Sequence, residues 1–156
     1  MDHWNTDFDW RFLSGFLCLC GNTYKFFCMA YSKTNYPLQE HTSEIIKIGI
    51  DIHKQLGHGF LEIVYKDAFE HEFINNNILF EREKMYEIPY KEIILPHKFY
   101  ADFVVFDQVI LEIKAKDGIA SEDMAQTLNY LRCSGCKIGL ILNFGRMKLN
   151  IKRVIF

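Results

Sequence analysis

Two kinds of hydrophobic periodicity alternate along residues 38–156 and divide this part of the chain into helices and strands. Isoleucine and leucine recur at helical spacing over residues 45–56, and Gly57 follows, as is common after the last turn of a helix. A second helical segment, residues 60–77, ends in a run of asparagines, and a third begins at Ser121 with acidic side chains in its first turn. The pattern therefore predicts three helices.

Apolar or alternating segments between and after these helices predict β-strands. Four of them precede the third helix and two follow it, with the ranges 79–90, 91–95, 99–106, 109–115, 137–144 and 149–156. The predicted order is α-α-β-β-β-β-α-β-β, which corresponds to an α/β fold with a mixed central β-sheet flanked by helices. We expect these elements to form one domain over residues 38–156.

Residues 1–37 differ from the rest in composition, because they are dense in aromatic side chains and cysteine and have no clear period. The apolar run at 12–20 is shorter than the ~20 residues that span a bilayer, so no stable membrane insertion is expected. A peripheral extension, a membrane-surface segment and translated sequence upstream of a start at Met29 are all compatible with it. We treat residues 1–37 as an unassigned N-terminal extension.

The charge distribution is more informative than the net charge of −2, which does not by itself indicate a nucleic-acid-binding protein. No acidic residue follows Asp123, whereas six basic ones do: Arg132, Lys137, Arg146, Lys148, Lys152 and Arg153. These side chains either contact a phosphate backbone or solvate the edge of a sheet.

The five cysteines are an odd number and follow an acidic start that does not fit a secretory signal. Both features favour a reducing compartment, and we expect a cytoplasmic location. The "CSGC" motif at 133–136 has the spacing of a redox pair. It falls after a helix and before a strand, however, and not at the helix N-terminus that would stabilise a thiolate.

Acidic and basic side chains interrupt two adjacent strands that are otherwise apolar. Glu112 and Lys114 are two residues apart and therefore share a face, while Asp102 lies in the preceding strand. If residues 106–108 form a three-residue loop, Asp102 lies opposite Glu112, with Cβ atoms about 4.5–5.5 Å apart; a two-residue loop would turn it away. Two carboxylates at that distance require a counter-charge, and Mg²⁺ prefers such oxygen ligands.

Lys114 and four helical side chains complete the candidate site. Lys114 is either an ion-pair partner of Glu112 or a group that orients the attacking water and stabilises charge on a phosphate. Glu62 lies on a largely apolar helix face with Tyr65, a candidate substrate contact. On the third helix, Gln126 and Tyr130 share a face because they are four residues apart, opposite a stripe of Met124, Leu128 and Leu131.

The segment "GFLEIVY" at 59–65 fits the pattern GxxExxY, which names a group of small bacterial and archaeal proteins. Together with "ADFVV", "VILEIKA", "AQTLNYLR" and "GLILNFG", in that order, it resembles the PD-(D/E)XK nuclease superfamily over roughly residues 42–156. The resemblance implies a restriction-endonuclease-like core. It also implies that Asp102, Glu112 and Glu62 bind Mg²⁺ or Mn²⁺, that Lys114 is the catalytic lysine, and that Gln126 and Tyr130 form a QxxxY element.

The expected function is therefore a metal-dependent nuclease that hydrolyses DNA phosphodiester bonds. A non-catalytic module that binds nucleic acid or a partner on the same scaffold is the main alternative, and a CxxC redox protein is a third. The sequence leaves open whether the chain forms a homo-oligomer.

Overall fold

The structure is a computed structural model that describes residues 38–156; the expectations for residues 1–37 lie outside the described residues. The three predicted helices are present as α1 (Gln39–Leu56), α2 (Glu62–Asn75) and α3 (Ser121–Ser134). Helix α1 ends where Gly57 adopts a φ of 72°, a conformation that glycine reaches without a steric penalty. No helix among residues 38–156 is long and apolar enough to cross a membrane.

Seven strands accompany these helices: β1 (Phe80–Tyr86), β2 (Pro89–Tyr90), β3 (Ile93–Ile94), β4 (Phe99–Val105), β5 (Val109–Lys114), β6 (Ile138–Asn143) and β7 (Asn150–Ile155). Five of them form one sheet in the order β1-β4-β5-β6-β7, in which only β5 and β6 run parallel. Helix α3 connects these two parallel strands. The sheet is mixed, as predicted, and the α/β fold class is confirmed.

The helices cover both faces of the sheet and create two apolar cores. Helices α1 and α2 bury one face with the side chains Ile45, Ile52, Tyr65, Phe69 and Phe73, against Phe103, Leu111, Ile113 and Leu140 of the strands. Helix α3 covers the other face with Tyr130 and Leu131, against Val104, Ile110 and Ile141. The central strands β5 and β6 are therefore buried on both sides, which explains their continuous apolar sequence.

One predicted strand divides into two. Residues 79–90 were predicted as one strand, but β1 ends at Tyr86, and Pro89 and Tyr90 instead pair with Ile93 and Ile94 in a separate two-stranded hairpin. Proline has no backbone N–H to donate to the sheet, so it does not continue a paired strand. The order before α3 therefore contains five strands and not four.

The pairing of β4 with both of its neighbours is interrupted at Asp102. On one side the β1 pairs run from Phe80–Val105 to Tyr86–Phe99, but the pair that would join Glu83 to Asp102 is missing, and Glu83 has a φ of 51°. On the other side the paired residues of β4 and β5 end at Phe103 and Leu111. Regular β-pairing is thus interrupted on both sides of Asp102.

Candidate active site

The loop between β4 and β5 fixes which side chains face each other. Phe106 and Asp107 both adopt positive φ angles, of 55° and 56°, and the N–H of Gln108 donates to the carbonyl of Val105 at 3.1 Å. Val105 consequently pairs with Val109, which confirms the predicted three-residue loop. The same register places Asp102 opposite Glu112.

The two carboxylates are held by backbone N–H groups of the opposite strand. The N–H of Asp102 donates to Oε1 of Glu112 at 3.2 Å, and the N–H of Ile113 donates to Oδ2 of Asp102 at 2.8 Å. Side-chain oxygens therefore replace the carbonyls that an uninterrupted ladder would use. One oxygen of each carboxylate, Oδ1 of Asp102 and Oε2 of Glu112, is left to face other groups.

Burial makes this pair electrostatically costly. Asp102 is 8% exposed and Glu112 only 2% exposed. Desolvation and the negative charge of Asp102 together raise the pKa of Glu112 from 4.5 to about 7, although Lys114 acts in the opposite direction. A carboxyl group that titrates near neutrality inside a buried acidic pair is characteristic of a functional site.

Lys114 lies between Glu112 and helix α3. Its Nζ is 3.4 Å from Oε2 of Glu112 and 3.4 Å from Oε1 of Gln126, both long hydrogen bonds. The strand end that carries Lys114 is pinned to β6, because the N–H of Phe144 donates to the Lys114 carbonyl at 2.7 Å. The lysine backbone is therefore fixed while its ammonium group is only loosely held.

A second lysine, Lys66, belongs to the same cluster and is absent from the predicted site. Its Nζ is 2.6 Å from Oδ1 of Asp102 and 3.2 Å from Oε1 of Glu62, and its side chain is only 15% exposed. Partial burial alone would lower the pKa of Lys66, but the hydrogen bond to Asp102 and the charges of Asp102 and Glu62 outweigh it and raise that pKa. The ammonium group of Lys66 therefore bridges the carboxylates of Glu62 and Asp102.

Helix α3 contributes the two predicted polar residues in different ways. Gln126 is partly buried and contacts Lys114, as described above. Tyr130 is 4% exposed and packs edge-on against Phe99. Burial and the negative charges of Glu112 and Asp102 raise the pKa of Tyr130 well above its usual range, so the hydroxyl remains protonated at neutral pH.

The face of α3 that carries Tyr130 is not the solvent-facing one. Leu131 is fully buried with it, whereas Met124 and Leu128 of the predicted apolar stripe are only partly buried. Asp123 is also buried and accepts the N–H of Ala120 at 2.8 Å. The buried face of α3 therefore differs from the predicted apolar stripe. The reason is that this helix covers the carboxylates of Asp102 and Glu112 as well as apolar side chains.

Tyr65 occupies a different place from the one predicted. Its ring is fully buried and stacks on Phe144 at 4.3 Å between ring centroids. Its hydroxyl donates to the carbonyl of Gly57 at 3.0 Å and accepts the N–H of Phe60 at 3.3 Å. A side chain with no exposed surface does not contact substrate, so Tyr65 instead anchors the loop that leads into Glu62.

The chemistry of the site suits a hard divalent cation. Two buried carboxylates face each other, and burial together with the negative charge of Asp102 raises the pKa of Glu112 despite the nearby Lys114. Mg²⁺ usually takes one or two carboxylates and completes its coordination with water and phosphate. Among residues 38–156, no group of three His, Cys, Asp or Glu side chains is arranged to hold a metal ion, because Lys66 separates Glu62 from Asp102. The side chains that suit a divalent cation are therefore those of Asp102 and Glu112.

The site consists of a buried acidic pair and a lysine at the end of a central strand, and comparison with known protein families identifies the family of the chain. A model of the PD-(D/E)XK nuclease superfamily matches residues 39–154, so the chain belongs to that superfamily. The match agrees with the predicted restriction-endonuclease-like core; the narrower GxxExxY assignment stays a prediction.

Four solved chains match this one, and two of them illustrate the similarity. The crystal structure of SSO0001 has 18% sequence identity and a TM-score of 0.48, over 59% of this chain and 48% of that one, so the similarity spans about half of its length. The alkaline exonuclease LHK-Exo from Laribacter hongkongensis has 10% identity and a TM-score of 0.45, over 77% of this chain and 71% of that one. No curated protein matches the chain.

Proposed function

We propose that this protein is a nuclease that hydrolyses phosphodiester bonds in DNA and depends on Mg²⁺ or Mn²⁺. The observation that carries the proposal is the buried, backbone-held pair of Asp102 and Glu112, with the ammonium group of Lys114 3.4 Å from Glu112. A structural ion pair alone would not require two buried acids to face each other, since burial and the repulsion from Asp102 together raise the pKa of Glu112.

Each side chain has a role in this proposal. Asp102 and Glu112 hold the divalent ion, which supplies charge neutralisation and a more acidic bound water. Lys114 orients the attacking water or stabilises charge that develops on the phosphate. Gln126 positions the Lys114 ammonium group, to which it lies at 3.4 Å. Tyr130, which keeps its proton beside Gln126, would contact the substrate.

The basic residues after Asp123 would contact the DNA backbone, because no acidic residue follows Asp123 in the sequence; one of them, Arg146, also pairs with Asp117 at 2.6 Å. A cytoplasmic location and assembly into a homo-oligomer remain predictions that accompany this function.

A cleavage assay tests the proposal directly. Linear, nicked circular and single-stranded DNA, with single-stranded RNA for comparison, are incubated with Mg²⁺, Mn²⁺ or EDTA. We expect cleavage of DNA that EDTA abolishes and that Lys114→Ala lowers on the order of 100-fold or more, since one electrostatic contact to a transition state is worth that much. Lys47→Ala, an exposed lysine on α1, is the matched control and should cleave normally.

One observation favours a second candidate, the non-catalytic nucleic-acid- or partner-binding module. Lys66 already neutralises Asp102 and Glu62, so these side chains are stable without a metal ion. This candidate predicts binding of nucleic acid that persists in EDTA, with no cleavage of any substrate and no effect of Lys114→Ala on products. Cys133 is partly buried in the last turn of α3 and Cys136 is buried just after this helix, which gives the redox alternative no support.

A further inference from the structure

Each of the two buried carboxylates has an inward oxygen that bonds to the backbone and an outward oxygen that does not. The two outward oxygens are held with very different strength. The inward oxygens, Oδ2 of Asp102 and Oε1 of Glu112, accept backbone N–H groups and are committed to the sheet. Of the outward ones, Oδ1 of Asp102 is held by Lys66 at 2.6 Å, whereas Oε2 of Glu112 is 3.4 Å from Lys114. Any cation that binds Asp102 from outside the sheet must therefore share or take the oxygen that Lys66 holds.

The net charge of the cluster also indicates that Lys66 opposes the binding of a second cation. Three carboxylates, those of Glu62, Asp102 and Glu112, are accompanied by two ammonium groups, those of Lys66 and Lys114. With all groups ionised, the net charge is −1 with Lys66 present and would be −2 without it. Because Lys66 is mostly buried, its repulsion of a second cation is only weakly screened by solvent.

We propose that Lys66 is an internal counter-cation that competes with the divalent ion for Asp102 and thereby sets the metal concentration at which the site loads. This inference rests on the proposed metal-dependent function and adds a positioning residue to it. Lys66 keeps the acidic pair assembled in the absence of metal and must release Oδ1 of Asp102 when the ion binds. Its ammonium group then remains beside Glu62, its i−4 neighbour on α2.

The test measures binding of Mn²⁺ alone, followed by electron paramagnetic resonance of the free ion, together with thermal unfolding. Lys66→Met keeps the length of the side chain and removes its charge; we expect Mn²⁺ to bind at least about tenfold more tightly than to the wild type. In EDTA the same variant should unfold at a lower temperature, because Asp102 loses its partner. Lys66→Arg retains a cation and should resemble the wild type in both measurements.

Two further variants locate the effect. Lys54→Met removes the exposed ion pair with Asp51 on α1, at 3.0 Å, and should leave Mn²⁺ affinity unchanged. Adding Asp102→Asn to Lys66→Met should abolish the tight binding, because the oxygen that Lys66 releases is then no longer anionic.

The outcomes separate the inference from the function on which it rests. If the wild type binds Mn²⁺ and Lys66→Met binds it equally or more weakly, the role given to Lys66 is overturned while the metal-dependent function stands. If neither protein binds Mn²⁺, the proposed function is overturned, and the inference with it. If Lys66→Met is less stable than the wild type but does not bind Mn²⁺ more tightly, Lys66 only forms a structural ion pair, and its proposed competition with the metal ion is overturned.

Discussion

At the scale of single residues, the site depends on how much each acidic group is stabilised by its surroundings. Glu112 is the extreme case, because its carboxyl group is almost without solvent contact and lies opposite another acid. Lys114 partly offsets this from 3.4 Å. The balance leaves the pKa of Glu112 raised to about 7, so its protonation responds to pH in the neutral range.

The raised pKa predicts a pH dependence of stability in metal-free protein. Between pH 4.5 and about 7, folded Glu112 keeps a proton that the unfolded chain releases, so the free energy of unfolding falls as pH rises through this window. The shift from 4.5 to about 7 corresponds to roughly 3 kcal/mol. Glu112→Gln should remove this component, and the difference from the wild type should therefore change by about that amount between pH 4.5 and 8.

Urea unfolding in EDTA across this pH range measures the effect. Glu44→Gln, which replaces an exposed acid on α1, is the control and should run parallel to the wild type. A difference between Glu112→Gln and the wild type that stays constant with pH would contradict the raised pKa.

Part of the site could be predicted from the residues alone. The alternation of apolar and charged positions in β4 and β5 placed Asp102 opposite Glu112 on condition of a three-residue loop, and the observed register has that loop. Lys66 was missed because its contact with Asp102 spans 36 residues and depends on how α2 packs on the sheet. Its position four residues after Glu62 was the one local signal, and it is equally typical of an exposed helical ion pair.

At the scale of elements, the end of β5 and the end of β6 act as one unit. Asn143, which is 1% exposed, accepts the N–H groups of Lys116 and Gly145 at 3.0 and 3.1 Å and donates to the Lys116 carbonyl at 2.9 Å. A Cβ atom on Gly145 would lie 2.0 Å from that carbonyl, so the two segments approach too closely for any side chain there. This clamp fixes the segment that follows Lys114.

We predict that Asn143→Ala lowers the free energy of unfolding by about 2–4 kcal/mol, because it leaves three partly buried backbone groups of Lys116 and Gly145 without their hydrogen-bond partner. Cleavage should fall further than the loss of folded protein explains, since the end of β5 carries Lys114. Chemical denaturation and specific activity of the folded fraction measure the two effects. Asn129→Ala on the exposed side of α3 is the control and should stay within about 0.5 kcal/mol of the wild type.

The sheet also contains a feature that no strand pattern reveals. Glu83 adopts a φ of 51° within β1, at the point where its pair with Asp102 is missing. Positive φ is usually the conformation of glycine, and for a glutamate it costs on the order of 1–3 kcal/mol. Burial alternates regularly through this position of β1, and Glu83 is the residue opposite the interruption at Asp102.

At the scale of the whole molecule, residues 38–156 contain two apolar cores of their own. Both faces of the sheet are covered, one by α1 and α2 and the other by α3. The family match begins at residue 39 and ends at residue 154, close to the predicted domain of residues 38–156. The domain boundary itself stays a prediction.

We therefore expect residues 38–156, produced alone, to fold cooperatively with a melting temperature within a few degrees of the full chain, since a domain with its own core folds independently. Nuclease activity per molecule should be retained. Differential scanning calorimetry and the cleavage assay compare the two proteins. A fragment that aggregates or loses its transition would show that residues 1–37 contribute to the core.

The double interruption at Asp102 has a consequence for hydrogen exchange and local opening. In an ordinary sheet a catalytic carboxylate rotates away from its site by changing its own rotamer. Here the carboxylates of Asp102 and Glu112 are bonded to the amides of the opposite strand, so neither can leave without breaking hydrogen bonds of the sheet. The positions of the two carboxylates are therefore maintained by the free energy required to open this strand pair. The amide protons of Asp102 and Ile113 exchange with solvent only when their hydrogen bonds to the carboxylates break.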